Sequence, residues 1–126
     1  MHPVTTGRKA LGATNLTADI ATLTAVANDV GKDHIFLRQL ICLARKNDVL
    51  IGFSTSGNSE NLTKAFIQAK EIGLSTIGFS GQTGGEMSKC NAIDICLTVK
   101  TDSIHRVQEA HLTSYHILWD LVHSLL

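Results

Sequence analysis

The chain has 126 residues, with eleven Lys and Arg against eleven Asp and Glu, so its formal net charge at pH 7 is zero. That balance, without a basic cluster, argues against nucleic acid or an anionic membrane surface as a partner. No apolar segment reaches the roughly 20 residues of a membrane span, and residues 1–9 lack the apolar core of a signal peptide, so a single cytoplasmic domain over 1–126 is expected. Cys42, Cys90 and Cys96 are odd in number and scattered, as reduced packing residues are.

After a polar start, Ala10 to Leu16 reads as a weak strand, interrupted by Gly12 and Asn15. Asn15 or Thr17 can then cap a helix with Ile20, Leu23, Val26 and Ala27 on its apolar side, ending near Asn28-Asp29-Val30-Gly31. Asn28 and Asp29 place hydrogen-bonding groups at an element boundary, where substrate contacts are often found, although a polar helix stop before a glycine looks the same. A second helix is expected from Asp33 to Lys46, with Phe36, Leu37, Leu40, Ile41 and Ala44 inward and Arg45 and Lys46 in its last turn.

Val49, Leu50, Ile51 and Phe53 then make a short apolar run of the kind a strand buried on both faces requires. It gives way to Ser54-Thr55-Ser56-Gly57-Asn58-Ser59, four of whose six residues carry hydroxyls. An amphipathic helix follows through Leu62, Ala65, Phe66, Ala69 and Ile72 and stops at Gly73. A strand, a hydroxyl-rich turn and a helix N-terminus together make an anion site, since free N–H groups and the positive end of the helix dipole meet there. The loop has no lysine and no G-x-x-x-x-G-K-[ST] pattern, so a phosphate monoester suits it better than a triphosphate. An ordinary turn with a Ser or Asn cap is the alternative.

Leu74 to Ser80 is the next strand, and Gly81-Gln82-Thr83-Gly84-Gly85 a turn at its C-terminal end, where ligands gather in parallel sheets and where glycines can let backbone approach a sugar. Ala92 to Val99 supplies a further strand, broken by Asp94. The alternation implies an α/β fold, a three-layer sandwich with a mostly parallel sheet of about four strands flanked by helices.

Asp102 or Ser103 caps a last helix running to about Leu126, with Ile104, Val107, Ala110, Ser114, Leu118, Leu121 and Leu125 on a packing side. A second stripe holds His105, Glu109, Leu112, His116, Trp119 and His123, within about 40° of one line, with Gln108 beside it. Such a stripe can supply a proton shuttle, a metal ligand (His105 and Glu109 are one turn apart) or the edge of a helix–helix contact anchored by Trp119.

The hydroxyl loop Ser54 to Ser59, the Gly81 to Gly85 turn, and Arg106-Val107-Gln108-Glu109-Ala110-His111 continuing to His116 resemble the sugar isomerase (SIS) domain, and within it the phosphoheptose isomerase group. The resemblance runs from about Lys9 to the C-terminus. It implies a Rossmann-like fold and a phosphosugar held by Ser54, Thr55, Ser56 and Ser59, with substrate contacts from Asn28 and Asp29. It also implies Gln108 as substrate or metal ligand, His116 as catalytic acid–base or metal ligand, and zinc as the metal. The implied activity is aldose–ketose isomerisation of sedoheptulose 7-phosphate through an enediol, in a homo-oligomer (dimer or tetramer) with sites between subunits. In the group a catalytic glutamate and a metal-binding histidine lie on an N-terminal segment that precedes the point where this sequence starts. Two other readings follow from the same resemblance: a regulatory module that binds sugar phosphates without turnover, and an interaction protein like the SIS relatives that bind the bacterial replication initiator. Intact Ser56 and His116 place the last behind the others. Gln108 and His116 are about 12 Å apart along a straight helix, so donors from different copies would reconcile them with one ion.

Overall fold

The structure, a computed structural model, describes residues 9–126; the polar start at residues 1–8 lies outside the described residues. The elements are α1 (Ile20–Asp29), a 3-10 turn (Lys32–His34), α2 (Ile35–Leu43), β1 (Val49–Phe53), α3 (Glu60–Ile72), β2 (Ser75–Gly81), a second 3-10 turn (Met87–Lys89), β3 (Ile95–Val99) and α4 (Ile104–Ser124).

The described sheet has three strands in the order β1-β2-β3, all parallel, with Val49 opposite Ser75 and Ile77 opposite Ile95. The expected fourth strand is absent among the described residues. Over Ala10 to Leu16 the backbone is irregular, and the Asn15 carboxamide turns the chain by accepting from the Thr17 N–H (2.9 Å) and hydroxyl (2.7 Å). That local bond competes with strand pairing. Asp19, rather than Asn15 or Thr17, caps α1, its carboxylate taking the Thr22 N–H at 3.0 Å.

The second helix is shorter than expected, because Ala44 is already extended and Asn47 adopts a positive φ of 74°. The Arg45 N–H is held by the Asp48 carboxylate (2.8 Å), so Arg45 and Lys46 lie in a turn beyond α2. Asp94, which interrupts the third apolar run, sits just before β3 and accepts from the Thr76 N–H (2.9 Å) and Lys70 (2.6 Å), tying β2, α3 and the start of β3 together.

Even-numbered β1 residues face α3. Phe66, fully buried, lies against Gly52, where a Cβ would come 2.7 Å from its ring. Phe66, Met87 and Ile93 form one core cluster and Leu40, Ala69 and Leu74 another, so the core sits between the sheet and α2 and α3.

The opposite face, Ile51, Phe53, Ile77, Phe79, Ile95 and Leu97, is covered by α4 alone among the described residues. Only Val107 and His111 of that helix are buried, and Val49, Ile51, Phe53, Ile95 and Leu97 are each more than a third exposed. The reading of β1 as a strand buried on both faces is therefore corrected: one face is packed and the other open. An apolar cleft of about 300 Å³ separates α4 from Ile77, Phe79, Ile95 and Leu97. The three cysteines are free, and no helix among the described residues is long and apolar enough to cross a membrane.

Candidate functional site

The hydroxyl loop leaves β1 at its C-terminal end and enters α3. Ser54 is buried, its N–H bonded to the Phe79 carbonyl (2.9 Å) and its hydroxyl 2.9 Å from that of Ser59. The Gly57 N–H donates to the Ser54 hydroxyl (3.1 Å), and the Asn58 N–H to the Ser56 hydroxyl (3.2 Å). Because the Ser59 hydroxyl is engaged with Ser54, it caps no N–H of α3. The N–H groups of Thr55, Ser56, Ser59, Glu60 and Asn61 enter no hydrogen bond among the described residues. A helix start with free donors and no competing cap is the arrangement an anion takes up.

In the Gly81 to Gly85 turn Gln82 and Thr83 are exposed while Gly81 and Gly84 are buried. The turn packs on the hydroxyl loop: the Met87 N–H donates to the Gly57 carbonyl (2.9 Å), and the Glu86 N–H to the Asn58 side-chain oxygen (3.0 Å). A Cβ on Gly85 would meet Asn58 Oδ1 and the Ser56 carbonyl, both at 2.5 Å. The turn's glycines thus let one loop brace the other.

Beside the loop a cavity of about 450 Å³ is lined by Phe53, Ser54, Thr55, Gln108, His111, Leu112 and Tyr115. None of these is a carboxylate, lysine or arginine, so charge on a bound phosphate would be met by N–H groups, hydroxyls and the α3 dipole. On α4, positions 108, 111, 112 and 115 form one stripe at helical spacing. His111 is 6% exposed, its Nε2 lies 2.9 Å from the Ser80 carbonyl, and its ring contacts Phe79 edge-on and Phe53 at a tilt.

Of the residues singled out in the sequence, Ser54, Thr55 and Gln108 line this cavity, and Ser56 and Ser59 belong to the same loop. His116 is exposed and outside the lining, with its ring beside Tyr115 (5.4 Å between centroids). Asn28 and Asp29 are exposed at the end of α1, joined by a 2.8 Å bond from the Asn28 amide. Glu109 is engaged by Arg106 at 2.9 Å, and the Trp119 and His123 rings meet at a tilt with centroids 4.1 Å apart. Gln108 and His116 stand more than two turns apart, and no group of three His, Cys, Asp or Glu among the described residues could hold a metal ion. Within one copy these two residues do not fit a shared zinc ion. Pattern reading gave no role to two cavity residues, Tyr115 and His111, although the place of His111 one turn from Val107 marks it for burial.

The fold is a parallel-sheet α/β domain with a hydroxyl-rich strand-to-helix loop at the C-terminal end of its first described strand, the end at which ligands gather in such sheets. The sequence profile of the SIS domain matches residues 4–81, and the chain belongs to the SIS domain family. It is 46% identical over 115 residues to a phosphoheptose isomerase of Helicobacter pylori strain Shi470, covering 91% of this chain and 59% of that protein. It is 50% identical over 115 residues to a phosphoheptose isomerase of Clostridium acetobutylicum, covering 91% and 58%. Among solved structures, a phosphoheptose isomerase from Francisella tularensis superposes with a TM-score of 0.82 at 37% identity, covering 86% of this chain and 58% of that one. One from Neisseria gonorrhoeae superposes with a TM-score of 0.81 at 39% identity, covering 85% and 60%. The chain thus spans about three-fifths of the length of these relatives.

Proposed function

We propose that this single SIS unit acts as a phosphosugar isomerase of the phosphoheptose isomerase type, exchanging sedoheptulose 7-phosphate and the corresponding aldose. The observation that carries the reading is the hydroxyl loop opening on the α4 cavity, in a chain 46–50% identical to proteins named for that activity. Ser54, Thr55, Ser56 and Ser59 and the free start of α3 hold the phosphate; Gln108 contacts the sugar chain, and Asn28 and Asp29 supply further substrate contacts.

The reaction moves a proton between adjacent carbons. A base takes the proton from C2 of the aldose, the electron pair forms the enediol while the carbonyl oxygen gains a proton, and protonation at C1 with loss of the C2 hydroxyl proton to the base gives the ketose. His116 is the acid–base residue in this reading. Its exposure outside the cavity of its own chain supports a homo-oligomer, in which α4 of one copy serves the cavity of another. Zinc, where bound, would take Gln108 and His116 from different copies and act as a Lewis acid toward the carbonyl oxygen. Balanced charge and free cysteines support a cytoplasmic setting.

A second reading, binding without turnover, is favoured by one specific observation: the cavity lining contains no carboxylate to serve as the partner base. Calorimetric titration with sedoheptulose 7-phosphate, with turnover followed on the same sample, separates the two. Binding with turnover in the parent, and loss of binding in Ser59→Leu, supports the isomerase. Unchanged affinity in Ser59→Leu overturns the phosphate site, and binding without turnover selects the second reading.

A further inference from the structure

We infer that His111 is a substrate-binding residue whose Nδ1 accepts a hydrogen bond from a sugar hydroxyl, a role that rests on the phosphosugar reading above. A carbonyl oxygen can only accept, so the 2.9 Å contact with the Ser80 carbonyl puts a proton on Nε2. In the neutral ring this leaves Nδ1 as an acceptor. The ring is held in that orientation against the stacked Phe53–Phe79 pair, 5.9 Å and 5.8 Å between centroids.

Nδ1 has no hydrogen-bond partner among the described residues, yet it is not sealed in the core. The only buried side-chain nitrogen or oxygen left without a partner there is Nδ1 of His34, which lies 3.1 Å from Asp33 Oδ1 outside hydrogen-bonding alignment. The free nitrogen of His111 is therefore reachable, and the ring lines the cavity. Along α4 it falls between Gln108 and Tyr115, with Ser54 and Thr55 at the loop end of the same space. A phosphate held by the loop projects its polyhydroxy chain along this stripe, where an unprotonated ring nitrogen meets hydroxyl donors.

The test is a pair of titrations, inorganic phosphate and sedoheptulose 7-phosphate, against the parent and His111→Phe, with ¹⁵N NMR of the histidine rings in the parent. The expected result is sugar-phosphate affinity about tenfold weaker in the variant, the loss of one neutral hydrogen bond, with phosphate affinity unchanged. In the parent, the His111 Nδ1 resonance should report an unprotonated nitrogen that shifts with sedoheptulose 7-phosphate and not with phosphate. Equal weakening for both ligands would make His111 a purely structural residue and overturn the inference, as would unchanged sugar-phosphate affinity. A protonated Nδ1, or one that ignores the sugar phosphate, overturns it without any variant. If the parent binds neither ligand, the phosphosugar reading itself fails and takes this one with it; if it binds phosphate alone, only the sugar contact is lost.

Discussion

Gly57 and Gly84 meet backbone to backbone: a Cβ built on Gly57 would lie 2.0 Å from the Gly84 carbonyl oxygen. Gly57 also has a φ of 71°, in the region that side chains disfavour. Gly57→Ala should therefore cost about 2–4 kcal/mol and push the hydroxyl loop off the Gly81 to Gly85 turn. Urea denaturation reads the first effect and phosphosugar calorimetry the second. A variant as stable as the parent with intact binding would show that the two loops need not touch.

Phe66 is fully buried at the centre of the α3 face, in a cluster with Met87 and Ile93. Phe66→Ala leaves a cavity under Gly52 that the parallel strands cannot close, so destabilisation of about 3–5 kcal/mol is expected from denaturant midpoints at constant slope. A loss below 1 kcal/mol would mean that α3 is held to the sheet elsewhere.

Asp33 and Lys64 form an ion pair between the turn before α2 and the second turn of α3. The Lys64 ammonium holds the Asp33 carboxyl down to about 2, and the same bond raises the lysine. Since the folded carboxyl titrates below its ordinary value of 3.8, its stabilisation is complete above about pH 4 and disappears as pH falls toward 2. The lysine side has the opposite sign: its contribution is complete below its ordinary 10.5 and lost at still higher pH. In thermal melts between pH 6 and 2, the gap between the parent and Asp33→Asn should narrow only below about pH 4. A gap constant down to pH 2 would show that the pair contributes nothing through charge.

Much of the molecule was legible before any coordinates. The β1 apolar run, the helical spacing of Ala65, Phe66 and Ala69, the stop at Gly73 and the Ser103 cap are relations within a few residues, and all are in place. The hydroxyl loop was readable for the same reason, as six consecutive residues at a strand-to-helix junction. The weak strand expected over Ala10 to Leu16 does not form, because a short apolar stretch says nothing of whether a neighbour exists to pair with it, while the Asn15 turn is satisfied locally.

By itself, then, the amino-acid order determined the helix and strand periods, the parallel α/β class and the hydroxyls of the strand-to-helix loop, because these depend on side chains close together in the chain. Tertiary structure alone decided that the Gly81 to Gly85 turn braces Gly57, that one sheet face stays open, and that His111 enters the cavity while His116 stays outside it. Each of these turns on how closely elements remote in sequence approach and at what rotation α4 meets the sheet, and neither periodicity nor composition carries that distance or angle.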